Sequence, residues 1–355
     1  MSELRKRLTV VAAIAFLSVA TLVFLEGSAS FLVFARTLYH DRVAEEGHTE
    51  RDSLLGWINK PNVSRPNHYA TGIGFHTNLQ RFRHIGDLAP RAPAGIRRVV
   101  CSGDSFTLGY GVSDAQTWCQ LLAASDSSLE TINMGQGGYG LDQAYLWYVR
   151  DGLPLHPSLQ IFAFITPDFR RMQNDHANGF PKPRLELAGN GLRAVGVPVR
   201  QPGMGPAMLK LGNAVRTLRM FELVSAYVRM APRFSDPAPK DSATWLVANA
   251  ALRDLARRDS AEAAALVVVY LPMLDDYKKP VADRFRRWAR DAAARGDFRF
   301  VDLITPFRAL PPDSVDELFI PEGMLAFHGA TGHYTAAGNA WVARELELLV
   351  PELRH

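Results

Sequence analysis

A serine that follows a short apolar run is the first residue in this sequence suited to chemistry. Cys101–Val112 reads CSGDSFTLGYGV, and Ser105 comes where the pattern of a buried strand ends. Gly103 permits a sharp turn, and the Asp104 carboxylate can accept hydrogen bonds from nearby backbone amides. Thr107 stands in place of the second glycine of a Gly-x-Ser-x-Gly nucleophile elbow, so the turn is of another kind. Taken alone, Gly-Asp-Ser is equally typical of an ordinary turn.

Two later segments contain the other groups that acyl transfer needs. Asn133–Gly140 reads NMGQGGYG after a second apolar run. The backbone amide of Gly138, with no Cβ beside it, can approach a developing oxyanion closely. Gly332–Asn339 reads GHYTAAGN before a helical pattern. His333 in that segment suits a general base near neutral pH, because the unperturbed pKa of an imidazole is about 6.5.

These three segments, in this order, resemble the motifs of the SGNH (GDSL-type) serine hydrolase family. The resemblance implies that Ser105 is the nucleophile and that His333 is the general base and acid. It also implies that the backbone amides of Ser105 and Gly138 form the oxyanion hole, with no metal ion and no organic cofactor. The fold that it implies is a flavodoxin-like three-layer α/β/α domain with a five-stranded parallel sheet.

The third family motif departs from the pattern. In the family, Gly-x-Asn-Asp follows the third strand, and the Asn side chain completes the oxyanion hole. Here Phe164–Arg170 reads FITPDFR, so Pro167 stands at the Asn position while Asp168 is retained. Proline has neither an N–H nor a side-chain donor, and loss of one oxyanion donor costs about 10²–10³ in rate. Thr166 and Asn174 are the candidates to replace the missing donor.

The last family motif departs as well, because its Asp three residues before the His is Ala330 here. We therefore expect His333 to act in a Ser-His dyad, to use a backbone carbonyl, or to use a carboxylate from elsewhere. Asp104 and Asp168 are candidate supporting residues at the predicted sheet edge. The carboxylates upstream of His333 are Asp316, Glu317 and Glu322. The two departures together leave open a domain that keeps the fold and has lost the chemistry.

The elements that must position these residues alternate along the chain. Near-continuous apolar runs, typical of strands buried on both faces, are separated by stretches of helical periodicity. This alternation predicts a parallel sheet with helices on both faces. The predicted strands are Arg98–Ser102, Thr131–Met134, Gln160–Ile165, Ala265–Leu271 and Arg299–Leu303. The predicted helices are Thr117–Ala124, Asp142–Leu153, Thr244–Asp259, Lys279–Arg295 and Ala336–Leu349.

We predict that this α/β domain spans residues 97–355 and contains an insertion at 171–240. In the insertion, Arg184–Glu186 and Leu192–Val199 have the pattern of a hairpin. Met208–Met230 has helical periodicity, and Arg233–Asp241 is typical of a loop.

The N-terminal sequence predicts a membrane anchor over residues 8–35. Leu8–Leu25 contains no charged residue, and after Glu26 the uncharged stretch resumes. A helix of this length approaches the thickness of the hydrocarbon core, about 30 Å. Arg5–Arg7 precede it, so the positive-inside rule places the N-terminus in the cytoplasm. The alternative is a signal peptide cleaved near Ser28–Ser30.

From this topology we predict an anchor at 1–36, an irregular extracytoplasmic neck at 37–96, and a periplasmic α/β domain at the inner membrane.

The composition excludes several other classes of protein. With 47% apolar and 21% charged residues the chain is neither disordered nor a multi-span membrane protein. The net charge is +4, and no run of like charges suggests a nucleic-acid partner.

The two cysteines, Cys101 and Cys119, are too few for a disulfide framework, and no cluster has zinc spacing. A disulfide is allowed outside the cytoplasm, but we interpret both as buried free thiols.

The sequence thus predicts a membrane-anchored serine esterase or deacylase outside the cytoplasm. Its expected substrates are acyl or acetyl esters of a cell-envelope glycan or lipid. Two alternatives remain: an acyltransferase that uses the same Ser-His site, and a catalytically degenerate SGNH-like binding or scaffold protein.

Overall fold

The computed structural model describes residues 2–40, 47–177, 179–189, 191–201, 203–216, 218, 242–296, 298–325 and 327–354. These residues group into two compact units. One unit contains the N-terminal helix together with residues 203–216. The other contains residues 47–201 and 242–354, and all the residues predicted to do chemistry belong to it.

A five-stranded parallel sheet forms the centre of the second unit, which confirms the predicted fold class. Its strands are Arg97–Gly103 (β1), Leu129–Gly135 (β2), Leu159–Phe164 (β3), Ala265–Tyr270 (β4) and Arg299–Asp302 (β5). Their spatial order is β5-β4-β3-β1-β2, and every neighbouring pair is parallel. This is the flavodoxin-like order, in which ligands bind outside the carboxyl ends of β1 and β3.

Successive strand residues face opposite layers of helices, as the two-residue period of a strand requires. Val100, Phe162 and Val268 lie in one hydrophobic layer, and their neighbours Val99, Ile161 and Val267 lie in the other. The helices of the first layer are Leu141–Trp147, Ser242–Ala261 and Val281–Ala294. Those of the second layer are Trp118–Ser125, Ile304–Arg308 and Ala336–Leu349. The predicted three-layer architecture is therefore confirmed.

The predicted helices are all present, with small shifts at their ends. Ala336–Leu349 has the predicted bounds. Leu141–Trp147 ends sooner than predicted, because the chain continues as a π-helical turn at Tyr148–Gly152 and a 3-10 turn at Leu153–Leu155. The remaining short helices are Ser105–Leu108, Thr166–Met172 and Pro312–Asp316, with 3-10 turns at Asp114–Gln116, Leu274–Tyr277, His328–Ala330 and Pro351–Leu353.

Residues 49–76 form two hairpins, which corrects part of the prediction that the neck is irregular, whereas residues 77–96 form no helix or strand. Thr49–Asp52 pairs with Gly56–Asn59, and Ser64–Ala70 pairs with Ile73–His76, each as an antiparallel hairpin. The pattern was hard to see because these strands are short. Pro66 also lies inside one of them, where the pairing register is interrupted. A proline is compatible with such a two-stranded edge.

The two cysteines form a disulfide, which corrects their interpretation as free thiols. Cys101 lies on β1 and Cys119 on the next helix, Trp118–Ser125, and both are fully buried. The bond is consistent with the two-residue period of the strand, since Cys101 shares its face with Val99 and points toward the layer that contains this helix.

The insertion contains the hairpin that the sequence predicts. Arg184–Ala188 pairs with Gly191–Val195, and a shorter antiparallel pair joins His176–Ala177 to Phe180–Pro181. Gly205–Arg216 is helical. Most of the helical stretch predicted beyond it, and the predicted loop Arg233–Asp241, lie outside the described residues.

The N-terminal helix extends over Ser2–His40, longer than the predicted anchor. Its segment Arg5–Ala35 is long and apolar enough to cross a membrane, and its apolar side chains are exposed. Membrane anchors and signal sequences both have this property. Within the same unit, the helix packs against Gly205–Arg216.

Candidate active site

Ser105 lies at the first turn after β1, at the carboxyl edge of the sheet. It begins the short helix Ser105–Leu108, and Asp104 caps that helix by accepting a hydrogen bond from the Phe106 amide at 2.9 Å. Capping by Asp fixes the direction in which the chain leaves the strand. Ser105 is only 4% exposed, so the fold holds its hydroxyl in a sheltered position.

His333 meets Ser105 across 228 residues of sequence. Its Nε2 lies 2.8 Å from the Ser105 hydroxyl oxygen, which is the distance of a nucleophile–base hydrogen bond. Two backbone hydrogen bonds with Ile320 fix the loop. The N–H of Gly332 donates to the Ile320 carbonyl, and the N–H of Ile320 donates to the His333 carbonyl, both at 2.8 Å. The imidazole also packs against Phe106, with ring centroids 4.6 Å apart. The sequence correctly predicts that these two residues lie together.

Burial lowers the pKa of His333 to about 4. The ring keeps some exposed surface, yet protein atoms surround it closely enough for desolvation to dominate. The carboxylate of Asp104 and the carbonyls of Ala330 and Thr331 act in the opposite direction by favouring the charged ring. The imidazole is therefore neutral at physiological pH, which is the state that a general base needs.

The other ring nitrogen of His333, Nδ1, has no well-aligned hydrogen-bond partner among the described residues. The carbonyls of Ala330 and Thr331 are the oxygens that influence it. The candidate carboxylates Asp316, Glu317 and Glu322 are exposed, and none of them hydrogen-bonds to the imidazole. In the described part of the chain, His333 therefore contacts Ser105 through Nε2 and has backbone carbonyls, rather than a carboxylate, near Nδ1.

The second motif packs closely against the helix that contains Ser105. A Cβ on Gly135 would lie 2.0 Å from the backbone nitrogen of Leu108, so only glycine allows this approach. The side-chain amide of Asn133 donates to the carbonyl of Thr107 at 2.8 Å. Gly138 follows in a buried turn with φ +75°, a conformation that favours glycine. The second motif therefore determines where the Ser105 helix sits.

Neither candidate replacement for the missing Asn donor is available in the third motif. Pro167 lies in the first turn of helix Thr166–Met172, where a proline is well tolerated. The Thr166 hydroxyl lies 2.5 Å from that of Tyr270 and forms a hydrogen bond with it. Asn174 is exposed, and its amide donates to the carbonyl of Arg170.

An unpredicted residue of that helix, Arg171, bridges the motifs. Its Nη1 donates to Asp104 at 3.0 Å, to Asp168 at 2.6 Å and to the carbonyl of Tyr139 at 3.0 Å. Asp168, a candidate supporting residue, therefore binds this arginine and the Ile165 amide rather than His333. Its i, i+3 spacing from Arg171 was the available sequence signal. Asp104 is 3.5 Å from the Ser105 hydroxyl, at the limit of a hydrogen bond.

The carboxyl of Asp168 has a pKa well above its usual range, because burial and the nearby Asp104 charge outweigh the attraction of Arg171. The same carboxylates raise the pKa of Arg171, despite its burial. Arg171 therefore remains charged beside Asp104, the residue before Ser105.

Sequence reasoning also missed Arg83, which holds the loop after the Ser105 helix. Its guanidinium is fully buried and donates to the carbonyls of Leu108, Gly109 and Val112 at 2.6–2.7 Å. It also donates to Asp114 at 2.7 Å. The segment 77–83 thus contributes to the site by positioning backbone.

Among the described residues, no group of three or more His, Cys, Asp or Glu side chains is placed to hold a metal ion. Two surface depressions, beside Leu122 and beside Phe298, share no residue with the site.

No protein-family model matches this sequence, and no curated protein matches it. Several solved structures are similar. A lipolytic protein of the G-D-S-L family from Desulfitobacterium hafniense DCB-2 is 14% identical, with a TM-score of 0.41, covering 71% of this chain and 99% of that chain. The acetyl xylan esterase AlAXEase is 12% identical with the same TM-score and coverage. TesA is 14% identical, with a TM-score of 0.40, over 72% of this chain and 99% of its own. At these values the likeness does not extend to activity or substrate.

Proposed function

We propose that this protein is a serine esterase or deacylase in which Ser105 is the nucleophile and His333 is the general base. The observation that carries the proposal is the 2.8 Å contact between His333 Nε2 and the Ser105 hydroxyl at the carboxyl edge of the sheet. Two features support it further. The imidazole is neutral at physiological pH, and its aromatic neighbours Phe106 and Tyr110 hold the ring in place.

The chemistry follows from this geometry. The Ser105 oxygen attacks the ester carbonyl carbon while its proton passes to His333 Nε2. The imidazolium then protonates the departing alcohol, which leaves an acyl-serine. Water attacks the acyl-serine and gives a proton to the same nitrogen. The imidazolium then returns this proton to the Ser105 oxygen as it leaves, which releases the carboxylic acid and restores the free serine and the neutral imidazole. We assign the backbone amides of Ser105 and Gly138 to the oxyanion.

The dyad offers a reason why a missing triad carboxylate does not abolish the reaction. Such a carboxylate orients the imidazole and stabilises its charged form. Here Phe106 and Tyr110 pack against the ring, and the Ala330 and Thr331 carbonyls favour the charged form. We expect a slower enzyme than one with a full triad.

We further propose that the enzyme is a single-pass inner-membrane protein with a periplasmic α/β domain. The exposed apolar helix over Arg5–Ala35 supports an anchor, and Arg5–Arg7 support a cytoplasmic N-terminus. A tethered esterase in that compartment meets acyl or acetyl esters of envelope glycans and lipids, which we propose as substrates. Washed membranes that contain the intact N-terminus would support the anchor, whereas a soluble product beginning near Phe31 would contradict it.

The experiment that tests the activity uses the full chain in detergent with short p-nitrophenyl esters and a fluorophosphonate probe. We expect turnover and labelling in the native protein, and neither in Ser105→Ala. His333→Gln should lose turnover by several orders of magnitude. Ser113→Ala is the matched control, because its hydroxyl lies at the surface. Addition of a glycan acceptor distinguishes hydrolysis from acyl transfer by the product.

The second candidate is a binding or scaffold protein without catalysis. This candidate is favoured by Pro167 at the Asn position and by Nδ1 of His333, which has no well-aligned hydrogen-bond partner among the described residues. If the native protein neither labels nor turns over any ester, this candidate replaces the first.

A further inference from the structure

We propose that Arg171 is the third oxyanion donor of this enzyme, in place of the side-chain amide that Pro167 lacks. The inference rests on the proposed esterase function and adds a catalytic residue to it. Pro167 and Arg171 lie on the same short helix, Thr166–Met172, which follows β3 at the edge of the sheet where Ser105 lies. An arginine one turn further along can reach back over that edge because its side chain is long.

Arg171 contacts the two residues that adjoin Ser105 and Gly138, whose backbone amides are assigned to the oxyanion. Nη1 donates to Asp104, the residue before Ser105, at 3.0 Å. It also donates to the carbonyl of Tyr139, the residue after Gly138, at 3.0 Å. One nitrogen therefore spans the first and second motifs, whose backbone amides must converge on the same oxygen.

The guanidinium has donors to spare. Arginine carries five N–H bonds, and every hydrogen bond that Arg171 makes to a described residue comes from Nη1. Nε and Nη2 have no partner in the described part of the chain. The side chain is 24% exposed, whereas Asp104 and Asp168 beside it are 2–3% exposed. Arg171 is therefore the member of this cluster that keeps accessible surface.

Local charge argues for a donor to the transition state rather than a binding site for an anionic substrate. Two carboxyl groups already contact the one guanidinium, so the cluster offers no net positive charge to a permanent anion. An oxyanion forms only while His333 is positively charged, and that charge offsets the cost of placing a negative charge near the two carboxyl groups. A planar, fixed donor in a sheltered site is effective in this role without reorganising.

The test compares Arg171→Met and Arg171→Lys with Arg170→Met, the exposed neighbouring arginine, in the full chain. We expect Arg171→Met to lower kcat by about 10²–10³ with KM within a few-fold of the native value. Arg171→Lys keeps the charge beside Asp104 and Asp168, so it should fold normally and still be at least about tenfold slow. Arg170→Met should be within about twofold of native.

Three readouts separate a donor from a residue that only positions Asp104. Thionoesters replace the carbonyl oxygen by sulfur, which accepts hydrogen bonds weakly, so the rate ratio of ester to thionoester should fall in Arg171→Met. Added guanidinium at millimolar concentration should rescue Arg171→Ala. Pro167→Asn restores the family donor. Added to Arg171→Met, it should raise kcat at least about tenfold above that of Arg171→Met alone.

Several results would overturn the inference. If Arg171→Lys is folded and as active as native, or Arg171→Met stays within about threefold, the donor role is wrong while the esterase stands. An unchanged ester-to-thionoester ratio in a slow variant would make Arg171 a positioning residue only. If the native protein has no esterase activity at all, the proposed function fails first and this inference fails with it.

Discussion

Arg83 and Asp114 form an ion pair of 2.7 Å in which the arginine is fully buried and the carboxylate is 9% exposed. The pair joins the segment before the α/β domain to the loop that follows the Ser105 helix. The other N–H groups of the same guanidinium donate to three backbone carbonyls of that loop and to the carbonyl of Gly74. The loop after the Ser105 helix is thus held from outside its own βα unit.

Arg83→Met should destabilise the protein strongly. It removes one donor from Asp114, which keeps its contacts with His76, and the donor of several carbonyls. Breaking a buried pair typically costs about 3–5 kcal/mol. Arg81→Met is the matched control, because its pair with Glu50 is more than a third exposed on both sides and should cost about 0–1 kcal/mol. Thermal melting of both variants in detergent measures the difference. Similar melting temperatures for the two would contradict the role of Arg83.

The rate of ester hydrolysis should persist to unusually low pH. A general base works only when neutral, and burial lowers the pKa of His333 to about 4. Activity should therefore be constant down to about pH 5 and fall as the pH drops through about 4. A profile of kcat/KM against pH on the native chain gives the apparent pKa of the acid limb. A limb near the ordinary imidazole value of about 6.5 would show that the ring is solvated in the working enzyme.

Gly135→Ala should impair both stability and activity. The new Cβ would lie 2.0 Å from the Leu108 nitrogen and 2.6 Å from its Cα, so the Ser105 helix must move. Overpacking of this kind costs about 1–3 kcal/mol, and a displacement of about 1 Å at a nucleophile can cost 10²-fold in rate. Gly203→Ala is the control, since nothing lies within 4 Å of its Cβ position. Unchanged labelling of Gly135→Ala by a fluorophosphonate would refute the argument.

The disulfide between Cys101 and Cys119 should be present in protein isolated from the native compartment. Alkylation under denaturing, non-reducing conditions should therefore modify neither cysteine. The bond spans 18 residues of sequence, and closing a loop of that size stabilises a domain by about 3 kcal/mol. The double variant Cys101→Ala, Cys119→Ala should melt several degrees lower. Two alkylated cysteines in the non-reduced sample would instead indicate a reducing compartment.

Apolar patterning was sufficient to predict the sheet, because strands buried on both faces have near-continuous apolar runs such as ALVVVY at Ala265–Tyr270. It was not sufficient to bring Ser105 and His333 together, because the last strand ends at Asp302, well before His333. That prediction came from the order of the three motifs and their resemblance to a known family. The hairpins of residues 47–96 escaped notice because strands as short as Gly56–Asn59 show too few alternations to be distinguished from a loop.

Arg83 and Arg171 could not be predicted, for a different reason. Each acts through a long side chain that reaches backbone carbonyls far away in sequence, and no spacing rule encodes such reach. The i, i+3 spacing of Arg171 indicates only its pair with Asp168. Arg83, for instance, contacts Val112 from 29 residues away. The Cys101–Cys119 bond, in contrast, could have been found. The two-residue period puts Cys101 on the face with Val99, and the next helix had to cover one face of the strand.

The packing of Gly205–Arg216 against the N-terminal helix has a practical consequence for the preparation of this protein. Removing the first forty or so residues is the usual route to a water-soluble sample. It also removes the helix that packs against a segment inserted between β3 and β4. Met204 and Met208 are already largely exposed and would then border a larger exposed apolar surface. We expect such samples to aggregate. Purification should therefore retain both helices or delete both.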